Sequence, residues 1–506
     1  MNPVNPLDWF GAKELLAMAP MSLLFMASLV PLLWKVFMGN REPNPFTTLA
    51  MNIVGIIFAA GATAALFNAG AQSKLVAFSG AIVVDGISIW TSYVVYLAAA
   101  VGLMLAYDHV ATRGRQFTEF CFLLMSSTVG MLILIMSNDL IVTFIGIETM
   151  SLCLYILVAM SKEETLAKEA SFKYFVLGSF ASAIFLYGIA LVYGTAGTTY
   201  FPELALKTVD LLTTNRLFVV GMALLILGFA FKVSIFPLHA WTPDVYQGAP
   251  TPVTAFMATA VKASTFVAFL RLMRTDGFEG AVQFQTVLTW LAVATMMIGN
   301  IAAVMQTNLK RVLAYSSVAH SGYAMIGLIA MGFGFSRDAQ DQVTHTGAAA
   351  SLLFYLFSYT VMTLGSFALV ALFEKNENVS LEVTDLKGIA RKYPVLGLSL
   401  TVLMLSLAGI PPTLGFFGKF FIFSQAIRQN MYWLVFWGVV SSMISVYYYL
   451  RPVVMMYMSD DEPQEITESH VLTRATVVVA ALLIVVLGVF SSPVLHFVQD
   501  SVSSLL

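Results

Sequence analysis

Charge and cysteine are both scarce in this chain. Of 506 residues only 11% are Asp, Glu, Lys or Arg, and there are two cysteines, Cys121 and Cys153, each within an apolar run. Two thiols cannot supply a four-cysteine iron–sulfur cluster, and they imply no disulfide framework. No G-x-G-x-x-G fingerprint follows a strand, there is no Walker A loop, and no Cys/His set has zinc spacing. Redox chemistry or ATP hydrolysis inside this chain is therefore not expected, and no metal or cofactor site is assigned to it. Lys+Arg 26 against Asp+Glu 28 leaves a net charge of −2, which gives no reason to expect a nucleic-acid partner. The opening MNPVNPLDWFGAKELLAMAP has no basic n-region, so the first apolar block reads as a retained span.

Apolar residues are what the chain has in excess, at 59%, with a mean hydropathy of +0.84. They come in blocks of roughly 20, the length that crosses a hydrocarbon core ~30 Å thick. The reading is an all-α polytopic membrane protein of about fourteen transmembrane helices in contact with membrane lipids. Loops after odd-numbered spans hold Lys35, Arg41, Arg113, Arg115, Lys162, Lys168, Lys310, Arg311, Lys375, Lys387, Arg391, Lys392 and Arg451. Those after even-numbered spans hold fewer: Lys74, Lys207, Arg216, Arg271, Arg274, Arg337 and Arg428. The bias puts the odd loops in the cytoplasm and both termini on the outer, periplasmic side.

Two spans carry internal breaks. In Phe231-Lys232-Val233-Ser234-Ile235-Phe236-Pro237, Pro237 cannot donate to the carbonyl of Val233. In Gly409-Ile410-Pro411-Pro412-Thr413-Leu414-Gly415, the break frees the carbonyls of Leu407 and Ala408. Paired interrupted helices in inverted repeats point to a transporter's working site. Ordinary proline kinks, which membrane helices tolerate, are the plain alternative.

Charges inside spans cost ~2.5–3.5 kcal/mol on insertion scales and mark pathways. The candidates are Glu148, Lys173, Lys232, Lys262 and Lys419, with the imidazoles of His239 and His320. The mid-span cations are lysines, which desolvation can make release a proton, whereas arginine keeps its own. Each has a structural reading beside the functional one. Glu148 serves as a static ion-pair partner if it does not switch, and Lys173 forms an i,i+4 pair with Glu169 if it does not relay. Lys262 shares a stripe with Thr251, Thr254, Ala258 and Thr265 that suits a wet channel wall or helix packing. His320, with Ser316 and Ser317 a turn earlier, is a relay or a hydrogen-bonded core histidine. His239 caps the first break or takes part in it. Lys419 has no polar neighbour nearby in sequence.

The runs KEASFKYFVLGSFASAIFLYGIALVYG (168–194), FKVSIFPLHAWTPDVYQGAPTPVTAF (231–256), NLKRVLAYSSVAHSGY (308–323) and LAGIPPTLGFFGKF (407–420) resemble the antiporter-like membrane subunits of respiratory complex I, the NADH:quinone oxidoreductase. The resemblance implies two inverted five-helix repeats, each with a broken helix. The chain then divides into an N-terminal three-helix segment (1–116), a first repeat (117–273), a second (283–458) and a C-terminal helix (472–506). It implies a proton path along the membrane axis, with Glu148 and Lys232 as a switchable pair, Lys262 as relay and Lys419 facing the exit. His320 and Lys173 are further possible relays. A lysine at 419 and the absence of a long lateral helix after the last span resemble the N-type branch. NADH, FMN, the iron–sulfur clusters and quinone are implied on partner subunits, which include further antiporter-like subunits in a bacterial inner membrane. Mrp-type cation/proton antiporters share much of the motif set and are the alternative.

Overall fold

In hydrocarbon the backbone must satisfy its own polar groups, so long apolar runs become helices. A computed structural model describes residues 11–39, 41–69, 74–111, 116–161, 164–273, 282–332, 339–374, 381–459 and 470–503. The first half runs α1 (Ala12–Phe37), α2 (Pro45–Ala69), β1 (Leu75–Ala77), β2 (Ile82–Val84), α3 (Gly86–Ala106), α4 (Phe117–Met136), α5 (Leu140–Ala159), α6 (Thr165–Ala196) and α7 (Phe201–Thr214). It continues through α8 (Arg216–Lys232), α9 (Trp241–Gly248), α10 (Thr251–Phe256) and α11 (Lys262–Met273), with π-helical turns at Tyr107–Ala111 and Met257–Val261. The second half holds α12 (Val282–Val304), α13 (Leu309–Gly332), α14 (Ala339–Phe373), α15 (Ile389–Lys392), α16 (Pro394–Ala408), α17 (Leu414–Arg428), α18 (Tyr432–Met458), α19 (Val471–Val489) and α20 (Ser491–Ser503).

Among the described residues, twelve helices are long and apolar enough to cross a membrane. The two spans expected to be interrupted are each a pair of shorter helices, α8 with α9 and α16 with α17. α10–α11, α13 and α14 are almost wholly buried, whereas in α1, α2, α6, α12, α18 and α19 fewer than half of the residues are buried. The less buried helices carry many of the exposed Leu, Val, Ile and Phe side chains.

Polar side chains set the helix starts. Asp85 and Ser88 form a reciprocal capping box at α3, with Ser88 N donating to the carboxylate at 2.9 Å. Asp139 caps α5 by accepting from Ile141 N at 2.7 Å, which explains why α4 and α5 follow each other so closely. Asn215 caps α8 after a 117° turn out of α7.

The short antiparallel β1–β2 hairpin is an addition to an all-helical expectation, and α7 and α20 were not expected either. α7 escapes a hydropathy reading because its buried positions, Phe201, Leu204 and Thr208, lie on one face of a polar segment.

Three supposed loop cations are buried. Lys35 bonds Glu42 and Glu119, Lys310 bonds Glu374, and Arg271 forms a bidentate pair with Asp85 at 2.9 and 2.7 Å. They lie near helix ends, where a long side chain can fold inward to a carboxylate instead of outward to water. Charge counted along the sequence misses that choice. Of the loop cations, Arg113, Arg115, Lys162, Arg274, Arg337 and Lys375 lie outside the described residues, as do the first ten residues and the last three.

Candidate functional site

The first break places Lys232 at the last position of α8, where its side chain is 3% exposed. Its Nζ donates to Ser151 Oγ at 2.7 Å and approaches Tyr155 Oη at 3.4 Å, both on α5. The rings of Tyr155 and Phe231 lie 5.6 and 5.8 Å from the ammonium. Trp241 Nε1 donates to the Phe231 carbonyl at 3.1 Å, which satisfies part of the backbone opened by the break.

Glu148 lies one turn before Ser151 and is half-buried, not fully buried. Its carboxylate accepts from Ser182 of α6 and makes no direct ion pair with Lys232. Glu148 and Lys232 are thus separate groups, each held by its own serine. Exposed Ile141, Ile145, Leu152 and Ile156 flank Glu148 on α5, so this carboxylate opens towards a lateral face of the chain.

Lys262 begins α11 directly after the π turn and is 2% exposed. It donates to the Ser317 carbonyl and, at 2.7 Å, to Ser321 Oγ, both on α13. Tyr359 of α14 donates to Ser317 Oγ at 2.8 Å, with its ring 5.7 Å from the ammonium. On the next turn of α13, His320 Nδ1 pairs with Tyr355 Oη at 2.6 Å and Nε2 with Tyr449 Oη at 3.1 Å. Ser316 also bonds the Tyr449 hydroxyl. Lys262 and His320 thus meet the same stretch of α13 within a cluster of tyrosine and serine hydroxyls.

Lys419 lies on α17 and reaches back across the second break. Its Nζ donates to the freed carbonyls of Leu407 and Ala408, both at 3.1 Å, and to Ser442 Oγ at 3.0 Å. The Tyr323 ring lies 4.8 Å away and 5.7 Å from the His320 ring. Gly409 permits this arrangement. Its φ is +84°, and an added Cβ would stand 3.1 Å from Lys419 Cδ.

Lys173 stands apart from this line. It bonds Glu169 and Asp244, each at 2.7 Å, and Asp244 also accepts from Arg311 at 2.9 Å. With its side chain 39% exposed, it belongs to an ionic network at one end of the bundle. His239 is half-buried beside Phe236 at the first break and meets none of the buried lysines. Among the described residues no direct hydrogen bond joins Lys232 to Lys262, or His320 to Lys419.

Sequence reasoning named the charges but missed the hydroxyls that hold them: Ser151, Ser182, Ser321, Tyr355, Tyr359, Tyr449 and Ser442. Ser and Tyr are ordinary in membrane helices, so only their convergence marks them. Glu374 and His109 were missed as well, although both are ionisable and sit at the ends of apolar runs.

An integral membrane protein with two interrupted helices and buried lysines at hydroxyl clusters is the class defined by this fold and site. A family profile described as "NADH:quinone oxidoreductase/Mrp antiporter, TM" matches residues 137–445. NADH-quinone oxidoreductase subunit N of Bdellovibrio bacteriovorus is 49% identical over 493 residues, covering 97% of this chain and 99% of that protein. A chain of respiratory complex I from Thermus thermophilus with bound aureothin is 30% identical, with TM-score 0.77 over 94% of this chain and 98% of that one. A chain of the Mrp complex from a Dietzia species superposes with TM-score 0.83 over 98% of this chain and 97% of that one. At 19% identity it shows the shared fold alone. The chain belongs to the NADH:quinone oxidoreductase/Mrp antiporter family, in the branch of NADH-quinone oxidoreductase subunit N.

Proposed function

We propose that this chain moves protons as the subunit N component of an NADH:quinone oxidoreductase, with Glu148, Lys232, Lys262 and Lys419 as the carriers and His320 between the last two. The observation that carries the reading is the placement of Lys232, Lys262 and Lys419, each at most 5% exposed, without a direct carboxylate partner among the described residues, and each bonded to a serine hydroxyl that can pass a proton. A structural ion pair would bring a counter-charge into contact. These lysines instead have neutral oxygen partners, which suits a group that alternates between amine and ammonium.

The mechanism is electrostatic. A charge change in the neighbouring subunits acts on Glu148 from the lateral face and alters how strongly Lys232 holds its proton. The proton then moves by way of water to Lys262, across the α13 hydroxyl cluster with His320, and on to Lys419. Electron transfer from NADH to quinone takes place on partner subunits, which hold the FMN and iron–sulfur clusters, and this chain contributes no cofactor. Its place is a bacterial inner membrane with both termini on the outer side.

Two inverted five-helix repeats, 117–273 and 283–458, fit this reading. The α4–α5 turn bridges to Tyr200 through Asp139, and the α12–α13 turn bridges to Glu382 through Asn308. Close helix approach recurs in both pairs. A Cβ on Gly130 would stand 2.5 Å from Met150 N, and one on Gly299 would stand 2.7 Å from Ala319 N. The Mrp-type antiporter reading shares the fold but has only distant similarity behind it.

The test is Lys232→Ala in the whole complex, in inverted membrane vesicles. The expected result is loss of the NADH-driven proton gradient, with the flavin-side reaction towards an artificial acceptor kept. Normal pumping by that variant would sink the mechanism.

A further inference from the structure

The buried line of lysines begins and ends inside the bundle, so protons need a way in from water. Four helix ends converge on one buried carboxylate. Glu374 directly follows α14 and is 8% exposed. It accepts from Lys310 Nζ at 2.9 Å near the start of α13 and from the Thr251 hydroxyl at the start of α10. His109 Nε2, in the π turn that extends α3, lies 4.0 Å from the same carboxylate. Lys310 also donates to the Ala249 carbonyl at 3.0 Å. The adjacent Asp108 is engaged elsewhere, by the Thr473 amide and hydroxyl at 2.8 Å each.

This cluster lies between a partly exposed ionic network on one side and the segment that carries Lys262 on the other. One residue past Lys310, Arg311 turns outward and bonds Asp244, which continues to half-exposed Lys173 and Glu169. In the other direction, Thr251 opens the buried α10–α11 segment that carries Lys262 eleven residues later, about 16 Å along a helix. Thr254 lies on the same face, and α14 brings the Tyr359 hydroxyl to Ser317, whose carbonyl receives Lys262. A mere lock would need only the ion pair. A carboxylate that also meets a hydroxyl and an imidazole has the partners of a group that gains and loses a proton.

We infer that Glu374 is the proton-loading residue, taking protons from the end of the bundle marked by Lys173, Asp244 and Arg311 and passing them towards Lys262. This rests on the reading of Lys262 as a carrier. A proton from water adds to the Glu374 carboxylate, forming the neutral acid and releasing Lys310 from its ion pair. It then leaves through intervening water to the neutral amine of Lys262, which becomes the ammonium, and Glu374 returns to the paired carboxylate. No electron moves in this step.

The experiment uses the whole complex in inverted vesicles carrying Glu374→Gln, Glu374→Asp, the double variant Glu374→Gln/Lys310→Met, and Lys262→Met. Ferricyanide reduction by NADH reports an assembled redox arm. The NADH-driven pH gradient reports pumping, and its initial rate in D2O against H2O reports proton transfer. Glu374→Gln is expected to pump roughly tenfold more slowly with a raised isotope effect, and Glu374→Asp to recover most of the rate. The double variant removes both charges together, leaves neither unpaired, and is expected to stay slow. Wild-type pumping by the double variant would reduce the cluster to a lock and overturn the inference, and so would its failure to assemble. If Lys262→Met pumps normally, the carrier reading itself fails. If Lys262→Met is inactive while the double variant is normal, only the role of Glu374 falls.

Discussion

Lys232 and Lys419 sit at the two breaks of the molecule, but they are held by different chemistry. Lys232 rests on side-chain hydroxyls from α5, with Glu148 a turn away from its serine. Lys419 rests on two main-chain carbonyls that its own broken helix left open, with one serine hydroxyl, Ser442, beside them. The first lysine can lose its proton and leave behind hydroxyls that reorient to donate. The second, as a neutral amine, still has two N–H groups for its two carbonyls, and Ser442 is its one hydroxyl partner. Lys232 is thus held by side chains alone, whereas Lys419 ties its amine to the backbone at its break.

That contrast is open to direct tests. Lys419→Met should cost more stability than Lys232→Met. It leaves the Leu407 carbonyl without its donor, at about 1–3 kcal/mol, and Ala408 with only the 3.4 Å bond from Ser442, whereas the hydroxyls around Lys232 can find other partners. Thermal inactivation midpoints of the two assembled variants measure the difference, and equal midpoints would erase the distinction. Gly409→Ala should have an intermediate effect. A residue with a Cβ at positive φ costs about 1–2 kcal/mol, and the added carbon presses on Lys419. Slower pumping at unchanged ferricyanide reduction is expected, because the amine is displaced from the carbonyls while the redox arm is untouched. Lys173→Met should do least, since exposed ion pairs contribute about 0.2–1 kcal/mol and this lysine lies off the buried line. A pumping defect in that variant comparable to that of Lys232→Ala would restore Lys173 to the path.

Much of the fold was legible because a membrane penalises unsatisfied backbone and unpaired charge severely. Apolar blocks marked the spans, and Pro237 and the Pro411-Pro412 pair marked the two breaks where α8 and α16 end. The i,i+4 pairing of Lys173 with Glu169 was also readable from spacing alone. The short amphipathic α7 was not, because hydropathy averaged over a span hides a single apolar face. Nor was the role of Lys310, which by position is a loop residue and by structure a buried partner of Glu374. A helix-end lysine can turn either way, and which way depends on a carboxylate sixty-four residues later.

The sequence by itself determined that this is a helical membrane protein, where its helices break, and which few charges enter its interior. It did so because insertion energies and proline geometry are local. Only the tertiary structure decided what each charge touches. Lys232 meets Ser151 and not Glu148, Lys262 and His320 share the hydroxyls around α13, and Lys419 closes the backbone that Gly409 opens. A hydroxyl becomes a proton-passing partner through its position beside a buried amine, and that position is set by helices from distant parts of the chain.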